Sequence, residues 1–188
     1  MGVSGCGKTT IGRALAKAVG GCFVEGDDFH PASNVKKMSA GIALQDTDRR
    51  EWLLRLREAM ERRCARGPVC FVACSALKKA YRDFLRRAKV DVKFIFLTGP
   101  PDLIRRRMER RKGHFMPPKL LRSQFTTLEP PRDAVVVDIT PSPEEITQLL
   151  LDKLGLAADR NSTTGSDRPA SRGGPRDTKR TGSPCDES

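Results

Sequence analysis

The chain is poor in aromatic residues, in histidine and in long apolar runs, and these shortages exclude several classes of protein. Trp and Tyr each occur once, and His occurs twice, among 188 residues. No apolar stretch approaches the length of about 18 residues that a membrane-spanning helix requires, and no signal peptide is recognisable. The composition therefore predicts a soluble cytoplasmic protein without a membrane partner.

The cysteines show no metal-binding or disulfide pattern. Six are present, none in a C-x-x-C pair and none with histidine at metal-ligand spacing: Cys6, Cys22, Cys64, Cys70, Cys74 and Cys185. Because Cys22, Cys70 and Cys74 lie in strand-like runs, a disulfide framework is improbable. We expect reduced thiols that pack as small hydrophobic groups.

The carboxyl-terminal segment lacks the residues that build a core. From Asp159 onward there is no Leu, Ile, Val or Phe, and residues 157–188 carry six basic and five acidic side chains. A segment this polar is predicted to be disordered. We therefore expect a folded domain over residues 1–156 and a disordered tail over 157–188. Nearly all of the net charge of +12 then lies on the domain, which suits a protein that gathers anions.

The most informative feature present is a phosphate-binding loop at the amino end. Residues 2–9 fill every fixed position of the pattern G-x-x-x-x-G-K-[ST]. In such a loop, backbone N–H groups surround the phosphates, Lys8 reaches the β- and γ-phosphates, and the Thr9 hydroxyl ligates Mg²⁺. A helix beginning near Gly7 adds its positive end. The loop predicts a bound nucleotide with Mg²⁺, with these residues in the nucleotide site: Gly2, Val3, Ser4, Gly5, Cys6, Gly7, Lys8, Thr9 and Thr10.

Apolar runs alternate with helical patterns along the rest of the chain. Near-continuous apolar runs at residues 21–25, 69–74, 92–97 and 134–138 are typical of parallel strands that are covered on both faces. Helical patterns cover residues 48–64, 76–87 and 102–112, and the last helix has Ser142 as its N-cap, a capping box with Glu145, and Gly155 beyond its end. The alternation predicts an α/β fold, a three-layer parallel sheet.

One expected element has no counterpart in the sequence. A phosphate-binding loop normally follows a buried strand, but only Met1 precedes this loop. In this architecture that strand lies in the middle of the sheet. We expect its absence to leave unpaired backbone groups and a channel through the core, and so to lower stability.

Acidic residues follow the first apolar run, at the sheet edge where α/β proteins bind ligands. Glu25, Asp27 and Asp28 emerge there, followed by His30. A carboxylate at this edge can accept a proton from an attacking hydroxyl, and another can hold the water shell of Mg²⁺. Alternatively, Asp28 caps the next helix, and His30 either binds substrate or packs.

Several blocks occur in an order that resembles the small phosphate-loop gluconokinases. After the loop come residues 26–31, 34–38, 46–49 with Trp52, 73–79, 112–117, 123–125 and 128–130. The blocks Cys-Ser-Ala-Leu-Lys-Lys (74–79) and Gly-His-Phe-Met-Pro (113–117) are distinctive of that family. The resemblance covers about residues 2–154.

The resemblance implies ATP-dependent phosphorylation of D-gluconate to 6-phosphogluconate, on a fold related to shikimate and nucleoside monophosphate kinases. It implies that Lys8, Asp27 and Arg111 are catalytic, with Asp27 receiving or aligning the 6-hydroxyl. Substrate would contact Asp27, His30, Arg49, Lys78, Arg82 and His114. The metal would be held by Thr9 and, through water, by Glu25, where relatives usually have Asp. A homodimer is also implied.

The basic run at residues 105–112 has two interpretations. A nucleic-acid site would need interleaved aromatics or a recognition fold, and neither is present. The resemblance instead assigns Arg107 and Arg111 to adenine and phosphate contacts, next to a lid over about residues 112–124 that excludes water when it closes. The remaining charges would be surface groups.

Two further hypotheses compete with an active gluconokinase. One is a truncated, weakly active or inactive isoform that lacks the first strand. The other is a basic nucleic-acid-binding protein, whose binding would fall steeply with salt.

Overall fold

Strands and helices alternate in the computed structural model, which describes residues 1–65, 67, 69–110 and 120–157. The strands are β1 (Cys22–Glu25), β2 (Cys70–Ala73), β3 (Ile95–Thr98) and β4 (Val135–Asp138). The helices are α1 (Lys8–Ala18), α2 (Ala32–Ser39), α3 (Asp46–Cys64), α4 (Lys79–Arg86), α5 (Pro101–Glu109), α6 (Leu121–Thr127) and α7 (Pro143–Leu154), and a 3₁₀-helix spans Gly26–Phe29.

The strands form two parallel pairs with helices packed on both faces. β1 pairs with β2, and β3 pairs with β4. On one face, Leu15 of α1 and Leu150 of α7 belong to the same buried cluster as Val137. On the other face, Trp52 of α3 and Leu85 of α4 pack with the opposite side of the strands. This arrangement confirms the predicted three-layer α/β fold.

A cavity of about 530 Å³ separates β2 from β3. Among the described residues no strand lies between these two, which do not pair with each other. Met1 occupies one end: its amino group donates to the Ile95 carbonyl, and the Leu97 N–H donates to the Met1 carbonyl at 3.0 Å. The Gly2 N–H donates to the Ser75 carbonyl at 3.2 Å, just beyond β2. The expected channel is thus present, and Met1 and Gly2 bridge its end beside the phosphate loop.

The last helix is bounded as its sequence predicts. Ser142 accepts a hydrogen bond from the Glu145 N–H at 3.2 Å, and Glu145 in turn accepts from the Ser142 N–H at 2.8 Å. Gly155 closes the helix in the left-handed conformation, with φ of 64°. These local signals need no tertiary information, which explains why both ends were predictable.

Cys22 and Cys70 form a disulfide, so the prediction of reduced thiols is wrong for this pair. The register of β1 against β2 places the two residues directly opposite each other, with Cα atoms 4.6 Å apart. Among the described residues, Cys6, Cys64 and Cys74 are free. Burial raises the pKa of the Cys74 thiol to about 12, so that thiol stays protonated.

Two expectations fall partly or wholly outside the described residues. The lid was predicted over residues 112–124, of which 120–124 are described. The predicted tail, residues 157–188, is described only at residue 157. Within the part of the chain that the structure covers, no helix is long and apolar enough to cross a membrane.

Candidate active site

The phosphate loop turns sharply between Gly2 and the first turn of α1. Gly7 is the N-cap of α1 and has φ of 93°, a left-handed conformation that costs a residue with a Cβ free energy. At Gly2 a Cβ would lie 2.5 Å from the Leu97 carbonyl oxygen. Lys8 Nζ donates to the Val3 carbonyl at 3.0 Å, so the side chain folds back over the loop. The loop therefore presents backbone N–H groups and a lysine around one concave space.

Two cavities meet at this loop. The larger, of about 680 Å³, is lined by loop residues, by Glu25 and by Arg107, and we name it the nucleotide-side cavity after the role predicted for the loop. The smaller is lined by His30, Arg49 and Gln124, among others, and we name it the acceptor-side cavity after the substrate contacts predicted for His30 and Arg49. Ser4, Lys8 and Asp27 line both cavities. A group transferred from one cavity to the other would pass these three residues.

Thr9 and Glu25 lie together on the nucleotide side. The Thr9 hydroxyl donates to Glu25 Oε2 at 2.7 Å. Hydroxyl and carboxylate oxygens are the ligands that Mg²⁺ prefers, and Mg²⁺ usually keeps several waters and takes few protein ligands. This pair therefore fits the metal role predicted for it. The described residues contain no cluster of three or more His, Cys, Asp or Glu that would form an all-protein metal cage.

His30 is held on the acceptor side by an aromatic stack. Its ring lies 4.5 Å from the Trp52 ring, nearly parallel to it, and Trp52 Nε1 donates to the Gly26 carbonyl at 2.8 Å. Burial, with a smaller effect of Arg49, lowers the pKa of His30 to about 4. At neutral pH the imidazole is therefore uncharged and can exchange a hydrogen bond with a hydroxyl, but it cannot neutralise an anion.

Arg49 is a cation at the acceptor-side cavity with an N–H group left to donate. It lines the acceptor-side cavity, and one guanidinium nitrogen donates to the Leu44 carbonyl at 3.4 Å. Its buried Nε has no hydrogen-bond partner among the described residues. A buried N–H donor without a partner is costly, and a bound carboxylate would satisfy it.

Lys78 is paired with a carboxylate. Lys78 Nζ lies 2.7 Å from Asp46 Oδ1, and the Tyr81 hydroxyl donates to the same oxygen at 2.5 Å. These hydrogen bonds, the one from Lys78 first, lower the pKa of Asp46. The predicted sugar contact of Lys78 therefore requires the lysine to share or exchange this partner.

Arg82 is almost fully buried, at 3% exposure. Its Nη1 donates to the carbonyls of Ala76 and Leu77 at 3.1 and 3.0 Å. It therefore fastens the backbone just before α4, where Ala76 has a positive φ of 41°. Its predicted contact with substrate stays a prediction.

Two residues of the basic run have different surroundings. Arg107 lines the nucleotide-side cavity and donates to the Ile139 carbonyl at 3.0 Å. Arg105 pairs with Asp102 at 3.1 Å on the helix surface. Arg111, predicted to be catalytic, and His114, predicted to contact the substrate, lie outside the described residues.

Two residues at the site were not predicted from the sequence. Gln124 Oε1 accepts a hydrogen bond from the Ser4 N–H at 2.6 Å, and Asn34 is buried with its amide donating to the Asp48 carbonyl at 2.7 Å. Both lie in blocks that carry the family resemblance, which was the available signal. The contact between Ser4 and Gln124 spans 120 positions, so no local pattern could reveal it.

The known proteins that this chain resembles are kinases. The shikimate kinase family model matches residues 4–152. The thermosensitive gluconokinase of Escherichia coli (strain K12) is 47% identical over 152 residues, which cover 79% of this chain and 81% of the relative. Among solved structures, a sugar kinase from Janibacter sp. HTCC2649 has a TM-score of 0.77 at 44% identity, covering 84% of this chain and 92% of the other. A gluconokinase from Sinorhizobium meliloti 1021 has a TM-score of 0.73 at 46% identity, covering 82% and 89%.

The family match begins within the phosphate loop, at residue 4, and includes the acidic residues after β1 and the helices around both cavities. This chain therefore belongs to the shikimate kinase family and, within it, to the gluconokinases.

Proposed function

We propose that the chain transfers the γ-phosphoryl group of ATP to the 6-hydroxyl of D-gluconate, forming ADP and 6-phosphogluconate. Relatives named gluconokinase, including those of Arabidopsis thaliana and Gluconobacter oxydans at 40% and 42% identity, support the substrate. The observation that carries the proposal is that Ser4, Lys8 and Asp27 line both cavities. A phosphoryl donor in one cavity and an acceptor in the other would meet there.

Asp27 and Lys8 have complementary roles in the transfer. As the 6-hydroxyl oxygen attacks the γ-phosphorus, its proton passes to the Asp27 carboxylate, and the bond to the β–γ bridging oxygen breaks to release ADP. Lys8 leaves the Val3 carbonyl and neutralises charge on the phosphate oxygens. Such reactions depend mainly on positioning and charge neutralisation.

Further residues bind the two substrates. Arg49 receives the gluconate carboxylate, because its buried Nε still needs an acceptor. Arg107 contacts the nucleotide, together with Arg111, which precedes the lid. When bound, Mg²⁺ would neutralise phosphate charge, held by the Thr9 hydroxyl and, through water, by Glu25. The lid over about residues 112–124 would exclude water, which otherwise competes as acceptor.

The test compares two adjacent carboxylates. Asp27 lines both cavities, whereas Asp28 is exposed and lines the nucleotide side. We expect Asp27→Asn to lower kcat by about 100-fold or more, because proton acceptance and alignment are lost together, and Asp28→Asn to retain most of the activity. The readout is 6-phosphogluconate formed from ATP and gluconate, with shikimate as a control acceptor. Equal activity of the two variants would contradict the assignment.

We also propose a homodimer, as the family resemblance implies, and a cytoplasmic location, as the composition predicts. Sedimentation of the purified protein tests the dimer, and the location of a tagged chain in cells tests the compartment.

A further inference from the structure

The hydrogen bond between Ser4 and Gln124 joins the phosphate loop to α6, whose first residues overlap the end of the predicted lid. The Ser4 N–H donates to Gln124 Oε1 at 2.6 Å, and Ser4 is only 7% exposed. Ser4 lines both cavities and Gln124 lines the acceptor side. The bond therefore lies at the junction that a transferred group must cross.

Gln124 is held in place by the packing of α6 and the residue before it. Leu121 belongs to the core cluster that contains the apolar face of α1, and Leu120 packs with Met38 and Leu44 near the acceptor side. The Ser123 hydroxyl donates to the Leu120 carbonyl at 2.8 Å and closes the first turn. These contacts fix the position from which Gln124 reaches the loop.

The chemistry of the side chain matters at this position. Both an amide oxygen and a carboxylate can accept the Ser4 N–H, but only the amide does so without a negative charge. ATP and gluconate are both anionic, and like charges brought close together in a partly buried site repel. A neutral acceptor therefore supports the loop without opposing the approach of the substrates.

We propose that Gln124 is a positioning residue of the phosphoryl transfer. Its oxygen fixes Ser4 of the phosphate loop at the junction of the two cavities, and its neutrality keeps that junction accessible to two anions. This inference rests on the proposed gluconokinase reaction for its substrates. The hydrogen bond between Ser4 and Gln124 is present in the structure whichever substrate accepts the phosphoryl group.

Two substitutions separate support of the loop from charge. Gln124→Ala removes the acceptor, whereas Gln124→Glu keeps an acceptor and adds a charge. Thr126→Ala, on the exposed side of the same helix, is the matched control. The readouts are the melting temperature, the affinity for Mg²⁺-ATP measured without gluconate, and kcat and KM for gluconate between pH 5 and 8.

The two Gln124 variants should differ in their effects on stability, while both lower activity. We expect Gln124→Ala to lower both the melting temperature and kcat. Gln124→Glu should melt within a few degrees of the wild type. At pH 8, however, its affinity for Mg²⁺-ATP and its turnover of gluconate should both be lower by about 10-fold or more. Relative to the wild type at each pH, its activity should recover toward pH 5 as the introduced carboxyl takes up a proton. Thr126→Ala should match the wild type throughout.

Two results would overturn the inference. One is a Gln124→Glu variant as active as the wild type, and as tight for Mg²⁺-ATP, at pH 8. The other is a pair of Gln124 variants with the same melting temperature and the same activity across the pH range. If the wild type itself forms no 6-phosphogluconate, the proposed function fails. The melting and Mg²⁺-ATP measurements then still decide the role of Gln124.

Discussion

Adding a short apolar segment before Met1 should stabilise the protein strongly, because the cavity between β2 and β3 has the form of an empty strand position. The bonds from the Met1 amino group to Ile95 and from the Leu97 N–H to Met1 follow the pattern of a residue paired with Phe96 in a parallel ladder. Residues added before Met1 would continue in the same direction between the two strands. Six consecutive residues of the β2 side line the cavity, Val69–Cys74, so four added residues fit.

The size of the effect follows from three terms. Four added residues supply eight backbone groups, and each hydrogen bond contributes about 1 kcal/mol net. Four buried aliphatic side chains contribute about 2 kcal/mol each, and ordering each added residue costs about 2 kcal/mol, so burial and ordering nearly cancel. The expected gain is therefore close to the hydrogen-bond term, about 4 to 8 kcal/mol. For a domain of this size that corresponds to a rise of about 10 °C or more in melting temperature.

The assay compares two extensions of equal length. One adds Val-Ile-Val-Ile before Met1 and the other adds Gly-Ser-Gly-Ser, each behind an initiating methionine. Both move the charged amino group away from Met1, so that effect is matched. The apolar extension should raise the melting temperature and slow hydrogen exchange of amides in β2 and β3. The polar extension should have a smaller effect on both quantities. Equal melting temperatures of the two proteins would refute the interpretation of the cavity as a strand position.

Three more predictions follow from single groups. Burial lowers the pKa of the Met1 amino group to about 6 from its ordinary value of 8.0. Between these pH values the unfolded chain binds more protons than the folded one, so the free energy of unfolding should rise from pH 6 to pH 8. Amino-terminal acetylation should abolish this rise in urea titrations, and a persisting rise would exclude this group as its source. Arg49→Lys should raise KM for gluconate about 10-fold or more, because a lysine cannot bind a carboxylate with two parallel N–H groups. The control Arg50→Lys, on the exposed side of the helix, should leave KM unchanged. Equal KM values for these two variants would show that Arg49 does not bind the acceptor. Reduction of the Cys22–Cys70 disulfide, which joins residues 48 positions apart, should lower the free energy of unfolding by about 2 to 4 kcal/mol. The melting temperature of a Cys22→Ser variant should not change on addition of a reductant. A wild type whose melting temperature is also unchanged by the reductant would contradict this prediction.

Features set by local sequence were predicted well. The phosphate loop, the four apolar runs and the capped last helix all appear in the structure close to their expected places, because turn glycines, buried strands and caps act over a few residues. Errors at the ends were small. The helix expected from residue 76 begins at Lys79, since the carbonyls of Ala76 and Leu77 bond to the Arg82 side chain and Ala76 has a positive φ.

Features set by tertiary contacts were not predictable in the same way. The register that places Cys22 opposite Cys70 depends on how two strands 48 positions apart align. The contact between Ser4 and Gln124 and the pairing of Lys78 with Asp46 likewise join distant segments. The sequence indicates the types of residue at the site, and the structure adds which of them contact one another.

The identity of the product that the purified chain forms from ATP, Mg²⁺ and D-gluconate decides whether the chain is a gluconate 6-kinase. Phosphorus NMR of the reaction should show ADP and 6-phosphogluconate in equal amounts, with the phosphate on the 6-oxygen, and a Lys8→Ala variant should form neither at a comparable rate. ADP formed without phosphogluconate, phosphate on another hydroxyl, or undiminished turnover by Lys8→Ala would contradict the account.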